Sequence, residues 1–119
     1  MDYRILLFEN DKYIGYVLEN SENPEKGKYS LQIYDKNGAK KLECKLNMNY
    51  DSIQMWGKEI IAVRENECTI LNIKGNILFQ GELEGNSIES IMPAKGWRTY
   101  HVIFRDKIVK MKLKFWKNS

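Results

Sequence analysis

Histidine is almost missing from this chain: a single one, His101, stands among 119 residues. A lone imidazole cannot build a metal cluster, and no GxSxG or Ser/His/Asp arrangement accompanies it. His101 therefore reads as a packing or edge residue, and neither catalysis nor a metal site is expected. Cysteine is nearly as scarce. Cys44 and Cys68 belong to no CxxC pair, which excludes a zinc knuckle. Both fall in strand-like stretches, where Cys acts as a small buried apolar residue; a disulfide between them has no support. No apolar run approaches the roughly 18 residues of a membrane span. No charged-then-apolar leader opens the chain, so no export signal is expected. The glycines build no phosphate loop, because Gly75 is followed by Asn76 rather than by Lys-Ser/Thr. No cofactor is implied.

What is present is a globular composition: 43% hydrophobic, 29% charged, net charge +3, in a 14.1 kDa chain. That is the size of one domain. No stretch of about eleven or more residues keeps a helical period. Short alternating or apolar runs recur instead, broken by turn residues every 8–12 or so positions, the spacing of all-β proteins. Strands are predicted at Arg4–Glu9, Tyr13–Glu19, Lys28–Tyr34, Lys41–Leu46, Ser52–Trp56, Glu59–Arg64, Cys68–Ile73, Ile77–Leu83, Ser87–Met92, Tyr100–Arg105 and Lys107–Phe115. Asn37-Gly38 and Lys74-Gly75-Asn76 supply residues that tolerate positive φ in tight hairpins. The longest polar insert, Asn20–Gly27 with Pro24 inside it, reads as a surface loop.

The strands repeat. Residues 33–46 (IYDKNGAKKLECKL) lie without gaps over 70–83 (ILNIKGNILFQGEL), at an offset of 37. Residues 12–20 (KYIGYVLEN) lie over 58–66 (KEIIAVREN), at an offset of 46. The two offsets differ by about the length of the Asn20–Gly27 insert. Val102-Ile103-Phe104-Arg105 repeats Ile61-Ala62-Val63-Arg64, and Ser87-Ile88 repeats Ser52-Ile53. A four-stranded sheet recurring at this period is the sequence mark of a propeller blade. The expected architecture is all-β: about three antiparallel blades in one domain, at 4–46, 52–83 and an incomplete 87–115. The alternative is a single β-sandwich or barrel of 10–11 strands whose hairpins look alike. Propellers close with roughly 4–8 blades. A chain of nearly three blades therefore needs a second copy or the rest of a larger propeller.

The two hairpins resemble the outer hairpins of PQQ-like and WD40-like bacterial propellers, with their apolar-x-D-x-x-G-x-x-apolar pattern. The terminal stretch FRDKIVKMKLK resembles the last blade of a family of uncharacterised, membrane-anchored bacterial propeller proteins. The resemblance implies the C-terminal part of such a propeller, outside the cytoplasm, with no catalytic residues to carry over. The chain departs from the pattern in two ways. Asn72 stands where the first copy has Asp35, and the Trp-Asp pair and histidine of WD40 blades are missing.

Two groups of residues are candidates for binding. Trp56 with Lys58 and Trp97 with Arg98 fall in turns after the first strands of the second and third blades. Turns of one kind gather on one face of a propeller, so these four form a candidate interaction surface; the competing role for each Trp is to cap the gap between blades. The second group is a basic strand. Residues 95–119 carry eight Lys/Arg against Asp106 alone, whereas residues 1–94 carry eleven against fifteen Asp/Glu. Lys107, Lys110, Lys112, Lys114 and Lys117, with Trp116 for stacking, could hold nucleic acid or an anionic surface. The plainer reading is a wet strand face, since Val109, Met111, Leu113 and Phe115 alternate with lysines. The expected function is a non-enzymatic protein-interaction module, self-associating or part of a larger propeller. Anionic binding through the basic strand is the alternative.

Overall fold

A computed structural model describes residues 3–20 and 28–114 of the chain. The body of the Asn20–Gly27 loop and the positions Phe115, Trp116 and Lys117 lie outside the described residues. The described residues form eleven strands and no helix: β1 (Tyr3–Glu9), β2 (Tyr13–Glu19), β3 (Tyr29–Asp35), β4 (Lys40–Leu46), β5 (Ser52–Trp56), β6 (Glu59–Arg64), β7 (Glu67–Asn72), β8 (Ile77–Glu82), β9 (Ile88–Pro93), β10 (Thr99–Phe104) and β11 (Ile108–Lys112). They pair into three antiparallel sheets, ordered β1-β2-β3-β4, β5-β6-β7-β8 and β11-β10-β9. The fold is all-β, and its strands divide among three separate sheets rather than closing one barrel.

Ten predicted strands match to within a residue at each end. The last is shorter, ending at Lys112 rather than Phe115. The ladder pairs Thr99 with Lys112, so Leu113 would next face Arg98. Arg98 has φ +56°, a left-handed backbone that cannot continue a strand. One hydrogen bond survives there, from the Leu113 N–H to the Arg98 carbonyl at 2.8 Å.

The chain divides into two compact units, Met1–Asn49 with Ile73–Gly75, and Tyr50–Asn72 with Asn76–Ser119. In the first unit, Val17, Leu31, Ile33, Leu42 and Leu46 are buried. Their spacing of two along β3 and β4 puts them on one face of the sheet. Gly15 pairs with Phe8 across β1 and β2. A Cβ there would stand 2.4 Å from the Phe8 ring, so the missing side chain makes room for the aromatic.

The second unit stacks two sheets. Ile61, Val63, Cys68 and Ile70 from β6 and β7 pack with Ile88, Ile91, Tyr100, Val102 and Phe104 from β9 and β10. Each fully buried side chain of this size stabilises by roughly 1.5–3 kcal/mol. Ile60 through Val63 are all buried, so β6 is covered on both faces and reads as an unbroken apolar run. At one end of the stack the Asn66 amide donates to the carbonyls of Gly85 (2.7 Å) and Asn86 (2.6 Å), which pins the connection between the sheets.

The sequence repeat is a repeat of register. β2 pairs Tyr13 with Asp35, and β6 pairs Glu59 with Asn72, at the offsets of 46 and 37. The β3–β4 ladder shifts between Ile33 and Tyr34, and the β7–β8 ladder between Ile70 and Leu71. Both hairpin turns carry a glycine at φ +89°, Gly38 and Gly75. Asp35 Oδ1 accepts the Ala39 N–H at 2.9 Å, and Asn72 Oδ1 accepts the Asn76 N–H at 3.1 Å. The exchange of Asp35 for Asn72 thus keeps the one oxygen that the turn uses.

Candidate cationic-aromatic site

The β5–β6 connection is a two-residue hairpin, Gly57-Lys58, with Gly57 at φ +63°; glycine at the first central position is what a tight II′ turn requires. The β9–β10 connection is longer and is closed by the Ala94 N–H donating to the Thr99 carbonyl at 2.9 Å. Glu59 starts β6 and Tyr100 lies at the start of β10. The Tyr100 hydroxyl donates to Glu59 Oε1 at 2.5 Å, so both turns sit at the same end of the stacked sheets. Trp56 is 39% exposed and Trp97 is 69% exposed. Lys58 is exposed in the first turn. Trp97 therefore displays its ring rather than sealing it into a core.

Two left-handed residues shape the second turn, Gly96 at φ +114° and Arg98 at φ +56°. The Thr99 hydroxyl adds a 3.1 Å hydrogen bond to the Trp97 carbonyl. In this conformation the Arg98 guanidinium folds over its neighbour, with its carbon 3.6 Å from the Trp97 ring centroid. That is a close cation–π stack.

The basic strand behaves as the alternation predicts. Lys107, Lys110, Lys112 and Lys114 are exposed, while Leu113 is buried and Val109 and Met111 pack on the core. Lys107 Nζ lies 5.8 Å from the Phe104 ring. The lysines do not act as one row, however. Lys112 pairs with Thr99, which brings its Nζ within 5.8 Å of the Trp97 ring. Arg98, Lys112, Leu113 and Lys114 line a shallow pocket of about 200 Å³. The structure therefore merges parts of two groups that the sequence kept apart: Trp97 and Arg98 from the turn, Lys112 and Lys114 from the strand. Hairpin counting carries the signal. With Ile103 opposite Ile108, residue 98 falls opposite residue 113.

A second cluster went unread in the sequence. Tyr16 and Tyr34 stack with centroids 6.1 Å apart and planes 15° from parallel, and the Tyr16 hydroxyl donates to Gln32 Oε1 at 3.2 Å. All three residues share the face of the first sheet opposite its buried Val17, Leu31 and Ile33.

The buried thiol of Cys68 is pushed up to about 12 by desolvation. Cys44 is shifted in the same direction for the same reason, and both cysteines are free. Burial, then the Glu59 carboxylate, raise the Tyr100 phenol. Among the described residues, no three His, Cys, Asp or Glu side chains gather as metal ligands. No helix of the described residues is long and apolar enough to cross a membrane. The groups around Trp97 are donors and cations; they can hold an anion, and none of them is a nucleophile poised beside a base.

A family of unknown function (DUF5711) matches residues 5–113. No curated protein and no solved structure matches the chain.

Proposed function

The chain belongs to that family of unknown function (DUF5711), and from that premise we propose that it is a non-enzymatic, propeller-type interaction module. In this reading the third sheet is completed by a strand from outside the described residues. One observation carries it: among the described residues, two sheets have four strands in the same register, whereas the third has three, with β11 at its edge. An edge strand presents unpaired backbone donors and acceptors that can take a further strand. Ile108, on that edge strand, is 68% exposed, an apolar side chain that an incoming strand would cover. A second copy of the chain is the first source of such a strand; the remaining blades of a larger propeller, as the bacterial resemblance suggests, are the other.

Hydrogen exchange of the β11 amides tests the reading. Protection at Ile108–Lys112 is expected to rise with protein concentration or on addition of the completing blades. Edge amides of β11 as protected as those of β10, in a dilute monomer, would overturn it.

A further inference from the structure

We propose that the strand added at β11 is β8 of a second copy, docked edge to edge through opposite charge. The proposal rests on strand addition at β11 and names the partner. Among the described residues, the sheets have β1, β4, β5, β8, β9 and β11 at their edges. Lys110 and Lys112 are exposed on β11. Like charges directly opposite in a ladder destabilise it, and opposite charges support it. That rule sorts the partners. A second β11 sets lysine against lysine. β4 does the same, with Lys40, Lys41 and Lys45 exposed beside Glu43. β1 is balanced, Arg4 against Glu9, and β5 has no charged residue. On β9 the Glu89 carboxylate already lies 3.7 Å from Arg105 Nε. β8 carries exposed Glu82 and no cation, and exposed Glu84 follows it. Lysines on an edge strand ordinarily deter pairing; on β11 they exclude basic partners and admit an acidic one.

The register of β8 favours a cation there. Glu82 pairs with Glu67 across β7 and β8, so two carboxylates stand on neighbouring strands. Among the described residues, neither Glu82 nor Lys110 nor Lys112 enters an ion pair. Antiparallel docking with Lys110 opposite Glu82 puts Lys112 opposite Gln80, Met111 opposite Gly81 and Val109 opposite Leu83. Side chains alternate along a strand. Charged and polar groups therefore share one face of the extended sheet, and apolar groups the other. Val109, Met111 and Leu83 already pack with the core, so the apolar face continues across the junction.

The test is self-association of the full chain by sedimentation, read as a dissociation constant at low salt. Lys110→Glu combined with Lys112→Glu is expected to weaken self-association about tenfold, and Glu82→Lys several-fold. The decisive sample is an equimolar mixture of the two variants. There each β11 meets a β8 of opposite charge, and association is expected to return to within a few-fold of the parent. All three substituted positions are exposed, and recovery in the mixture separates lost binding from lost folding. A mixture that associates no more tightly than either variant alone would overturn the proposal. Stronger association of the Lys110→Glu, Lys112→Glu protein would move the partner to β4, and an unchanged constant for Glu82→Lys would remove β8. In both of those cases strand addition at β11 stands with another partner. A parent that stays a single chain at every concentration overturns strand addition by a second copy, and this pairing with it.

Discussion

Tyr100 and Glu59 meet across the two stacked sheets of the second unit, hydroxyl to carboxylate, at 2.5 Å. Glu59 opens β6 and Tyr100 is the second residue of β10, so their bond lies at the end of the stack where the Trp56 and Trp97 turns sit. A hydrogen bond to a charged acceptor contributes more than a neutral one, roughly 1.5–3 kcal/mol. Tyr100→Phe leaves the Glu59 carboxylate without that donor and is expected to cost about 2 kcal/mol. Glu59→Gln keeps an acceptor and is expected to cost about half as much. Urea unfolding of the two variants, compared by midpoint, checks the order; a Tyr100→Phe protein as stable as the parent would mean that the bond adds little.

The two exposed tryptophans separate a display role from a capping role. Trp97 is 69% exposed, and surface substitutions away from special features usually stay within about 0.5 kcal/mol. Trp97→Ala is expected to fall in that range. Trp56 is 39% exposed and covers more, so Trp56→Ala is expected to cost roughly 1–2 kcal/mol through lost apolar burial. Thermal melts decide. A Trp97→Ala protein that melts far below the parent would make that ring a structural cap.

The repeated turn gives a prediction in acid. Asp35 is held below the usual carboxylate range, first by the Ala39 N–H, with the Asn37 N–H and Lys41 adding to it. A lowered native pKa gives stability that is present above the unfolded pKa and is lost as pH falls through the native one. Asp35→Asn should copy Asn72, keep the turn, and flatten the fall in melting temperature below about pH 4. Asp35→Ala should lower it at neutral pH as well. In the second copy, Asn72→Ala is expected to cost about 1 kcal/mol for one lost hydrogen bond. An acid profile of Asp35→Asn that overlays the parent's would remove Asp35 from the account.

Alkaline pH probes the core. Cys68 is pushed from 9.0 up to about 12 by burial. A raised native pKa means that the neutral thiol is favoured in the fold. The stability it protects is therefore complete below pH 9 and falls as pH climbs from 9 towards 12. Tyr100 is shifted in the same sense and adds to the loss above about pH 10. Cys68→Ala is expected to show a shallower decline between pH 9 and 10 than the parent, measured by denaturant unfolding at each pH. The same burial makes Cys68 unreactive to thiol reagents until the chain unfolds, while half-buried Cys44 reacts slowly in the native state.

The strands were legible because each cue is local. Asn37-Gly38 and Gly75-Asn76 mark hairpins within two residues, and the alternation of Val109, Met111 and Leu113 against lysines marks one wet face. The repeat was legible because register depends on loop length, and two offsets that differ by a single insert leave the rest of the pairing intact. The end of β11 was not. It depends on Arg98 at φ +56°, and nothing in Gly96-Trp97-Arg98 announces a left-handed arginine. The site was half legible for the same reason. Trp97 with Arg98, and Lys112 with Lys114, were each visible as residue types. Their meeting rests on pairing of residues fourteen or more apart, which residue spacing alone does not display.

We propose that the sheet with β11 at its edge takes a further strand, with a second copy of the chain as its first source. Mass measured by light scattering across a dilution series tests it most directly. The account expects a species of more than one 14.1 kDa chain at working concentration, falling towards a single chain on dilution. A sharp 14.1 kDa species at every concentration would contradict it.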